Sequence, residues 1–499
     1  MSQPDILIFL SDQHSGSVMG CAGADIDTPN LDAIAREGVM FDNAYTPCPL
    51  CVPARMSFVS GQRPSHTGVY LNDDTIANIT PTFLHSMVAA GYETVLIGRM
   101  HFVGEDQRHG FMKRLGGEFT PTTWVRPVAR MKEYRGDYAV PVWFASAREG
   151  MIGGGESCVT FYDRMVTETA VEYLSQPHEK PQCIVVGTYG PHFPYIATPE
   201  IYEKYKKRVK LPKDFNEFPE ELKEYIGFRN MENTEEIGIQ AMAAYYAMVE
   251  IADGQIGRVR KAFHEMAERE GREKLFFYTS DHGDMLGHKG VYGKNVFFED
   301  SARIPLLAEG DGVAAGRRIK ANVSLMDFAP TCCELGGAEA LEEFDGESLI
   351  PYLGENPPEN KERIVISEEY DKVEAKRFWI NRESMMGSRN AIPEYGVMLR
   401  QDNWKLIHYE RIDGKEVDVL YDMEKDPAET INAAGDHPEV VERLRAEARK
   451  VNNVEALVKQ QAIHARNANL FRAYEKAIDF GIGELWTDNP PEGRVKPQP

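Results

Sequence analysis

The strongest constraint on this chain is a set of short, unbroken apolar runs that each end in polar residues and alternate with helical patterns. Ile6 to Leu10 runs straight into Ser11-Asp12-Gln13, and similar runs span Thr94 to Ile97, Cys183 to Thr188, Leu275 to Ser280 and Ile304 to Ala308. A run this short that is apolar at every position suits a strand buried on both faces. Between the runs, helical patterns cover Pro29 to Glu37, Thr82 to Ala90, Ile237 to Glu268 and Met326 to Leu335. The alternation predicts an α/β fold, a large mostly parallel sheet sandwiched by helices. In such sheets chemistry collects at the carboxyl ends of the strands.

The pattern changes after about Val365. Tyr395 to Arg400, Trp404 to Tyr409 and Val417 to Tyr421 are separated by turn residues and predict an antiparallel meander. Helical segments follow over Pro438 to Val451 and Ala456 to Ala477, then a Pro-rich tail after Asn489. The expected division is an α/β catalytic domain over residues 1–365 and a smaller C-terminal α+β subdomain over 366–499. At about 150 residues per domain, a chain of 499 residues suits roughly three units, or two if one is large.

Composition matters mainly for what it excludes. With 78 acidic against 56 basic residues the net charge is −22, which speaks against a nucleic-acid partner. No apolar run approaches the ~20 residues of a membrane helix. Seven cysteines (Cys21, Cys48, Cys51, Cys158, Cys183, Cys332, Cys333) are odd in number and irregularly spaced, so they suggest neither a disulfide framework nor a zinc motif. The first apolar run follows an Asp and lacks a basic leader, so it is taken as a core strand and the protein as cytoplasmic. The tail from Pro490 leaves a homo-oligomer open.

The loops after the runs carry the chemistry. In Cys51-Val-Pro53-Ala-Arg55, Pro53 suits a first helical turn, which places Cys51 at or just before a helix N-terminus, where N–H groups and the dipole favour negative charge. A small buried residue is the plainer alternative for Cys51. The run ending at Ser280 delivers Asp281-His282, and the first run delivers Asp12-Gln13; together they make a divalent-metal site plausible. Arg99 and His101 follow the second run, His192 follows the third, and Lys294 lies beyond Asp281-His282. Singly each histidine suits a structural role; jointly the loops converge.

The motif Cys51-x-Pro53-x-Arg55 followed by Ser60-Gly61 resembles the sulfatase family of the alkaline phosphatase superfamily, as do Ser280-Asp281-His282-Gly283-Asp284 and Leu420-Tyr421-Asp422. The resemblance covers nearly the whole length and implies a large mixed sheet with a small four-stranded antiparallel sheet behind it. It implies a sulfatase that cleaves a sulfate monoester to an alcohol and inorganic sulfate. In the family a separate maturation enzyme oxidises the motif cysteine to formylglycine. One hydroxyl of the aldehyde hydrate attacks sulfur, and the other then reforms the aldehyde and expels sulfate.

Carried over residue by residue, the resemblance implies a divalent metal held by Asp12, Gln13, Asp281, His282 and the modified Cys51. Calcium is the leading ion, with Mn2+, Mg2+ and Zn2+ as alternatives. Arg55 would hold the hydrate; Arg99, His192 and Lys294 would bind sulfate oxygens. His192 or Lys294 would protonate the leaving alcohol, and His101 would assist collapse of the hemiacetal. Gln13 and Arg99 stand where the family often has Asp and Lys. A closer resemblance is to the choline-sulfatase branch, through Arg99-Met-His-Phe-Val-Gly104 and Thr67-Gly-Val-Tyr-Leu-Asn72, with Asn72 as a substrate contact and Trp124 as the aromatic candidate for a quaternary ammonium. Two other readings compete: a phosphonate or phosphate ester hydrolase with the same nucleophile, and a silent metal-binding homologue whose Cys51 stays unmodified.

Overall fold

A computed structural model describes residues 3–118, 124, 152–226, 233–371, 394–451 and 453–478. The tail expected beyond Asn489 lies outside them. In chain order the strands are β1 (Asp5–Asp12), β2 (Val39–Tyr45), β3 (Glu93–Gly98), β4 (Lys113–Leu115), β5 (Gly153–Gly154), β6 (Gln182–Pro191), β7 (Ile196–Ala197), β8 (Lys274–Ser280), β9 (Arg303–Ile304), β10 (Leu306–Gly310), β11 (Arg317–Ser324), β12 (Ile364–Asp371), β13 (Glu394–Gln401), β14 (Trp404–Arg411) and β15 (Glu416–Asp422).

The large sheet runs β11-β2-β10-β8-β1-β6-β3-β4. β8, β1, β6, β3 and β4 are mutually parallel, and β2 pairs β11 in parallel. β10 is antiparallel to both β8 and β2, so the sheet is mixed and β2 points the same way as β8. The expected strand Ile304 to Ala308 is split at Pro305, which has no N–H to give a ladder: β9 pairs β2, and β10 lies between β2 and β8. The consequence is that β1, β2, β3, β6 and β8 all end at one edge.

Strand alternation assigns the two faces. Leu7, Phe9, Ile184, Val186, Phe276 and Tyr278 pack in one cluster with the helices Cys158–Ser175 and Glu235–Glu270. Ile6, Ile8, Leu10, Val185 and Phe277 pack on the other face with helix α2 (Cys51–Ser60) and the helix Phe328–Gly336. Burying each of these large apolar side chains contributes ~1.5–3 kcal/mol. The Glu235–Glu270 helix starts at Thr234, whose side chain accepts from Ile237 N, and ends at Gly271, in the left-handed region at φ 66°. Midway along it, Asp253 accepts from Leu31 N at 2.8 Å and Asn30 N at 3.1 Å, capping helix α1 (Pro29–Glu37) from outside.

The small sheet is antiparallel in the order β12-β13-β14-β15. Ile407, Tyr409, Val419 and Tyr421 turn one face onto Tyr45, Phe297 and Phe298 of the large unit. Leu406 and Leu420 turn the other onto Val440, Val441 and Leu444 of the helix Pro438–Val451. Between the sheets, fully buried Lys405 lies 2.7 Å from both Glu299 and Glu429. Burial works against charge on Glu299, but Lys405, Arg303 and Arg400 bring its pKa down to about 2. Among the described residues no helix is long and apolar enough to cross a membrane.

Candidate active site at the carboxyl edge of the large sheet

Five chain segments meet at the edge where the parallel strands end. β1 ends on Asp12, β8 leads into Asp281-His282, β3 into Arg99 and His101, and β6 into His192; β2 leads to α2, whose first residue is Cys51. Arg99 comes close enough because Gly187 on β6 has no side chain. A Cβ there would lie 1.9 Å from the Arg99 carbonyl oxygen, and Arg99 N donates to Gly187 O at 2.9 Å. Leu50 precedes α2 without a side-chain cap; instead Asn72 reaches over and accepts from Val52 N at 3.0 Å.

Cys51 is the hub. Its Sγ lies 2.9 Å from Lys294 Nζ, 3.3 Å from His282 Nε2 and 3.8 Å from Asp12 Oδ1. Beneath it Arg55, fully buried, donates from Nε to Asp281 Oδ2 at 2.8 Å and from Nη2 to Asp12 Oδ2 at 3.2 Å. Arg99 Nε is 2.7 Å from the same Asp12 oxygen. Burial alone would raise the Asp12 pKa, yet Arg99, His192, Lys294 and Arg55 hold it well below the usual carboxylate range. Asp12 is therefore an anion in a dry, cation-lined pocket.

The three histidines are all neutral at neutral pH, and burial is the first cause in each case. It lowers His282 to about 4, with Lys294 adding to the effect. It lowers His101 well below the usual value together with Arg99, and lowers His192 together with Lys294. Hydrogen bonds indicate the tautomers. His282 Nδ1 pairs with Gly283 O at 3.1 Å and His192 Nδ1 with Phe193 O at 2.7 Å, so each keeps Nε2 as a lone pair facing the site. His101 instead accepts through Nδ1 from Arg99 Nη2 at 2.8 Å.

The donor set fits a divalent cation. Asp12, Cys51, Asp281 and His282, all buried, each offer a ligand atom within 4.8 Å of the others. Gln13 lies beside them with its amide already engaged: Oε1 accepts from Lys294 Nζ at 2.8 Å and Nε2 donates to Asp284 Oδ2 at 2.5 Å. Trp124 takes a different position. It stacks on Phe471 at 4.5 Å, bonds Asp73 O through the indole N–H at 3.1 Å, is linked through its backbone to Arg472 and Glu475, and packs beside Gly104 on the apolar cluster of the α2 face.

Two acidic residues to which the sequence assigned no role support the site from behind, Asp284 inside the Asp281-His282 motif and Glu118 outside any motif. Glu118 accepts from His101 N at 2.8 Å, Tyr189 Oη at 3.1 Å and Arg99 Nη1 at 3.2 Å, which holds His101 in the left-handed region at φ 61°. Asp284 accepts from Gln13, Tyr195 Oη at 2.7 Å and Gly293 N at 2.9 Å, tying the Lys294 loop to β1. The sequence signal for Asp284 is its place in the Ser280-Asp281-His282-Gly283-Asp284 motif, two residues after His282; Glu118 has none.

Residues 4–338 match the family model described as Sulfatase, and 287–454 match one described as N-sulphoglucosamine sulphohydrolase, C-terminal. The first match alone spans well over half of the chain. The chain belongs to the sulfatase family. It is a sulfuric ester hydrolase of the alkaline phosphatase superfamily. This sulfatase is 32% identical over 455 residues to the choline-sulfatase of Rhizobium meliloti (strain 1021), covering 87% of this chain and 82% of the relative. It is 24% identical over 503 residues to the N-acetylglucosamine-6-O-sulfatase of Bacteroides thetaiotaomicron, covering 87% and 83%. In fold it is similar to the crystal structure of the phosphonate monoester hydrolase of Agrobacterium radiobacter, with a TM-score of 0.69 at 22% identity over 92% of this chain and 96% of the other.

Proposed function

We propose that this sulfatase hydrolyses a sulfate monoester with Cys51, oxidised to formylglycine by a separate maturation enzyme, as its nucleophilic residue, and with a divalent cation, Ca2+ foremost, held by Asp12, Gln13, Asp281, His282 and the modified residue. The observation that carries the reading is the position of Cys51 at the first residue of α2, its sulfur ringed by Lys294, His282 and Asp12 and underpinned by Arg55. When present, the cation and the aldehyde hydrate supply a charge sink for the sulfate and a geminal oxygen pair for attack and release.

This chain's own residues do the rest. Arg55, locked onto Asp281 and Asp12, orients residue 51. Arg99 and Lys294 place positive charge where sulfate oxygens gather, and His192 adds its ring beside them. Because His192 is held neutral with Nε2 as an acceptor, Lys294 is the better donor to the leaving oxygen. His101, kept neutral beside Arg99, is assigned to proton transfer when sulfate departs.

Choline sulfate is the first substrate to try, given the Rhizobium relative. Asn72, on the α2 N-terminus, and Trp124, joined to the adjacent Asp73, are assigned to the alcohol side. Seven free cysteines, with Cys183 and Cys332 hydrogen-bonded rather than bridged, support a cytoplasmic setting. The test compares choline sulfate, an aryl sulfate, a sugar sulfate and an aryl phosphonate ester, alongside peptide mass spectrometry across Cys51 from the native host. We expect formylglycine at 51 and a much higher kcat/KM on one of the sulfates. Faster phosphonate cleavage would sink the assignment in favour of the phosphonate hydrolase, and an unmodified thiol with no turnover in favour of a silent scaffold.

A further inference from the structure

The small sheet carries a second cluster with ligand chemistry, away from Cys51. Cross-strand register sets His408 opposite Asp418 and Glu410 opposite Glu416 on β14 and β15. Side chains two residues apart share a face, so all four lie on the side of Leu406 and Leu420, which packs on the helix Pro438–Val451. The intervening Ile407, Tyr409, Val417 and Val419 face the large unit instead. One ring nitrogen of His408 and one carboxylate oxygen each from Glu410 and Glu416 lie within 4.8 Å of one another.

His408 supplies the independent observation. It is 2% exposed, and its Nε2 is buried without a hydrogen-bond partner among the described residues. Leaving such a nitrogen dry and unpaired is costly. Its Nδ1 is taken by Asp418 Oδ1 at 2.8 Å, and Asp418 Oδ2 accepts in turn from Arg445 Nε at 2.8 Å. An imidazole whose far nitrogen is fixed by a carboxylate presents the other as a lone pair, the arrangement that orients metal-binding histidines. Glu416, exposed, accepts from Arg449 Nη2 through both oxygens, at 3.1 Å and 3.0 Å, which leaves each oxygen one further lone pair.

We propose that His408, Glu410 and Glu416 form a second cation site, selective for Zn2+ or a similar transition ion, with Asp418 orienting the imidazole and water filling the open position. One imidazole and two carboxylates match the ligand preference of such an ion. Binding there clips the edge strand β15 to β14.

The test uses full-length enzyme stripped with chelator, equilibrated with Zn2+, desalted and read by elemental mass spectrometry, with Zn2+-dependent thermal shift beside it. His408→Asn and Glu410→Gln should each hold one equivalent of Zn2+ less than wild type while turnover persists. Asp281→Asn should lose a different equivalent, so that its loss and that of Glu410→Gln add in the double variant. Should buried His408→Asn fail to fold, the half-buried Glu410→Gln decides. Wild-type Zn2+ content and an unchanged Zn2+-induced shift in Glu410→Gln would overturn the proposal, as would a wild type that binds only the equivalent removed by Asp281→Asn.

Discussion

Replacing Glu118 by Gln keeps the size of the side chain and removes its charge. The carboxylate accepts from His101 N, Tyr189 Oη and Arg99 Nη1, and it also pairs with Arg114 Nη2 at 3.4 Å. Whichever way the amide turns, its NH2 meets a donor: Arg99 and Tyr189 on one side, His101 N and Arg114 on the other. Hydrogen bonds to charged groups are worth ~1.5–3 kcal/mol, and breaking one side of a buried ionic network costs about 3–5 kcal/mol. Part of that should appear as a lower unfolding midpoint. The rest should appear in catalysis, because Arg99 and the left-handed His101 reach the site through this carboxylate. A displacement that forfeits about 1.4–2.8 kcal/mol of transition-state contact lowers kcat/KM by roughly 10–100-fold. The assay is kcat and KM on the best sulfate ester for Glu118→Gln and Glu118→Asp, with thermal unfolding alongside. Wild-type kcat/KM and midpoint in Glu118→Gln would refute the argument that Glu118 positions Arg99 and His101.

Three further outcomes are expected. Cys51→Ala should abolish turnover with unfolding within about 1–2 kcal/mol of wild type, since it removes one small side chain from a polar site; residual activity above background would contradict the nucleophile assignment. Lys405→Met should destabilise the protein by about 3–5 kcal/mol in denaturant unfolding, because it takes the cation from buried Glu429 and leaves Glu299 to Arg303 and Arg400; a neutral effect would show that the buried pair contributes nothing. Although burial opposes its charge, His288 is raised to about 9 by Asp300 and Asp214. With the folded pKa above the unfolded one, its stabilisation is complete below pH ~6.5 and is lost as pH rises through about 9, by about 1–2 kcal/mol given a ring roughly a third exposed. His288→Gln should flatten that part of the stability profile, and an unchanged slope would rule His288 out as its source.

How far the fold could be read from sequence depended on whether a segment's pattern reported its surroundings. Strands buried on both faces, such as β1, β6 and β8, leave continuous apolar runs, and the Glu235–Glu270 helix shows its period plainly. β11 leaves no such run because its Arg317, Arg318 and Lys320 are exposed at the sheet edge, and β2 leaves none because Asp42 and Asn43 interrupt an otherwise buried stretch. Pro305 was visible, but its effect in dividing a strand between partners depended on where β2 lay.

The same boundary runs through the site. Sequence alone determined the chemistry available: a cysteine in a first helical turn, carboxylates and histidines at strand ends, and the motif that joins them to one family. Those features are local, because a strand end or a helix start is set by a few neighbouring residues. Tertiary structure decided what that chemistry becomes. It turned β10 against its neighbours, so that β2 delivers Cys51 to the same edge as Asp12, and it placed Glu118 and Asp284 behind residues far from them in the chain. It also seated Trp124 on the C-terminal helix, left the Nε2 of His408 buried without a hydrogen-bond partner among the described residues, and put that ring on one face with two glutamates. Protonation and ligand geometry depend on distances across the fold and on exclusion of water, and neither quantity is encoded in the spacing of residues along the chain.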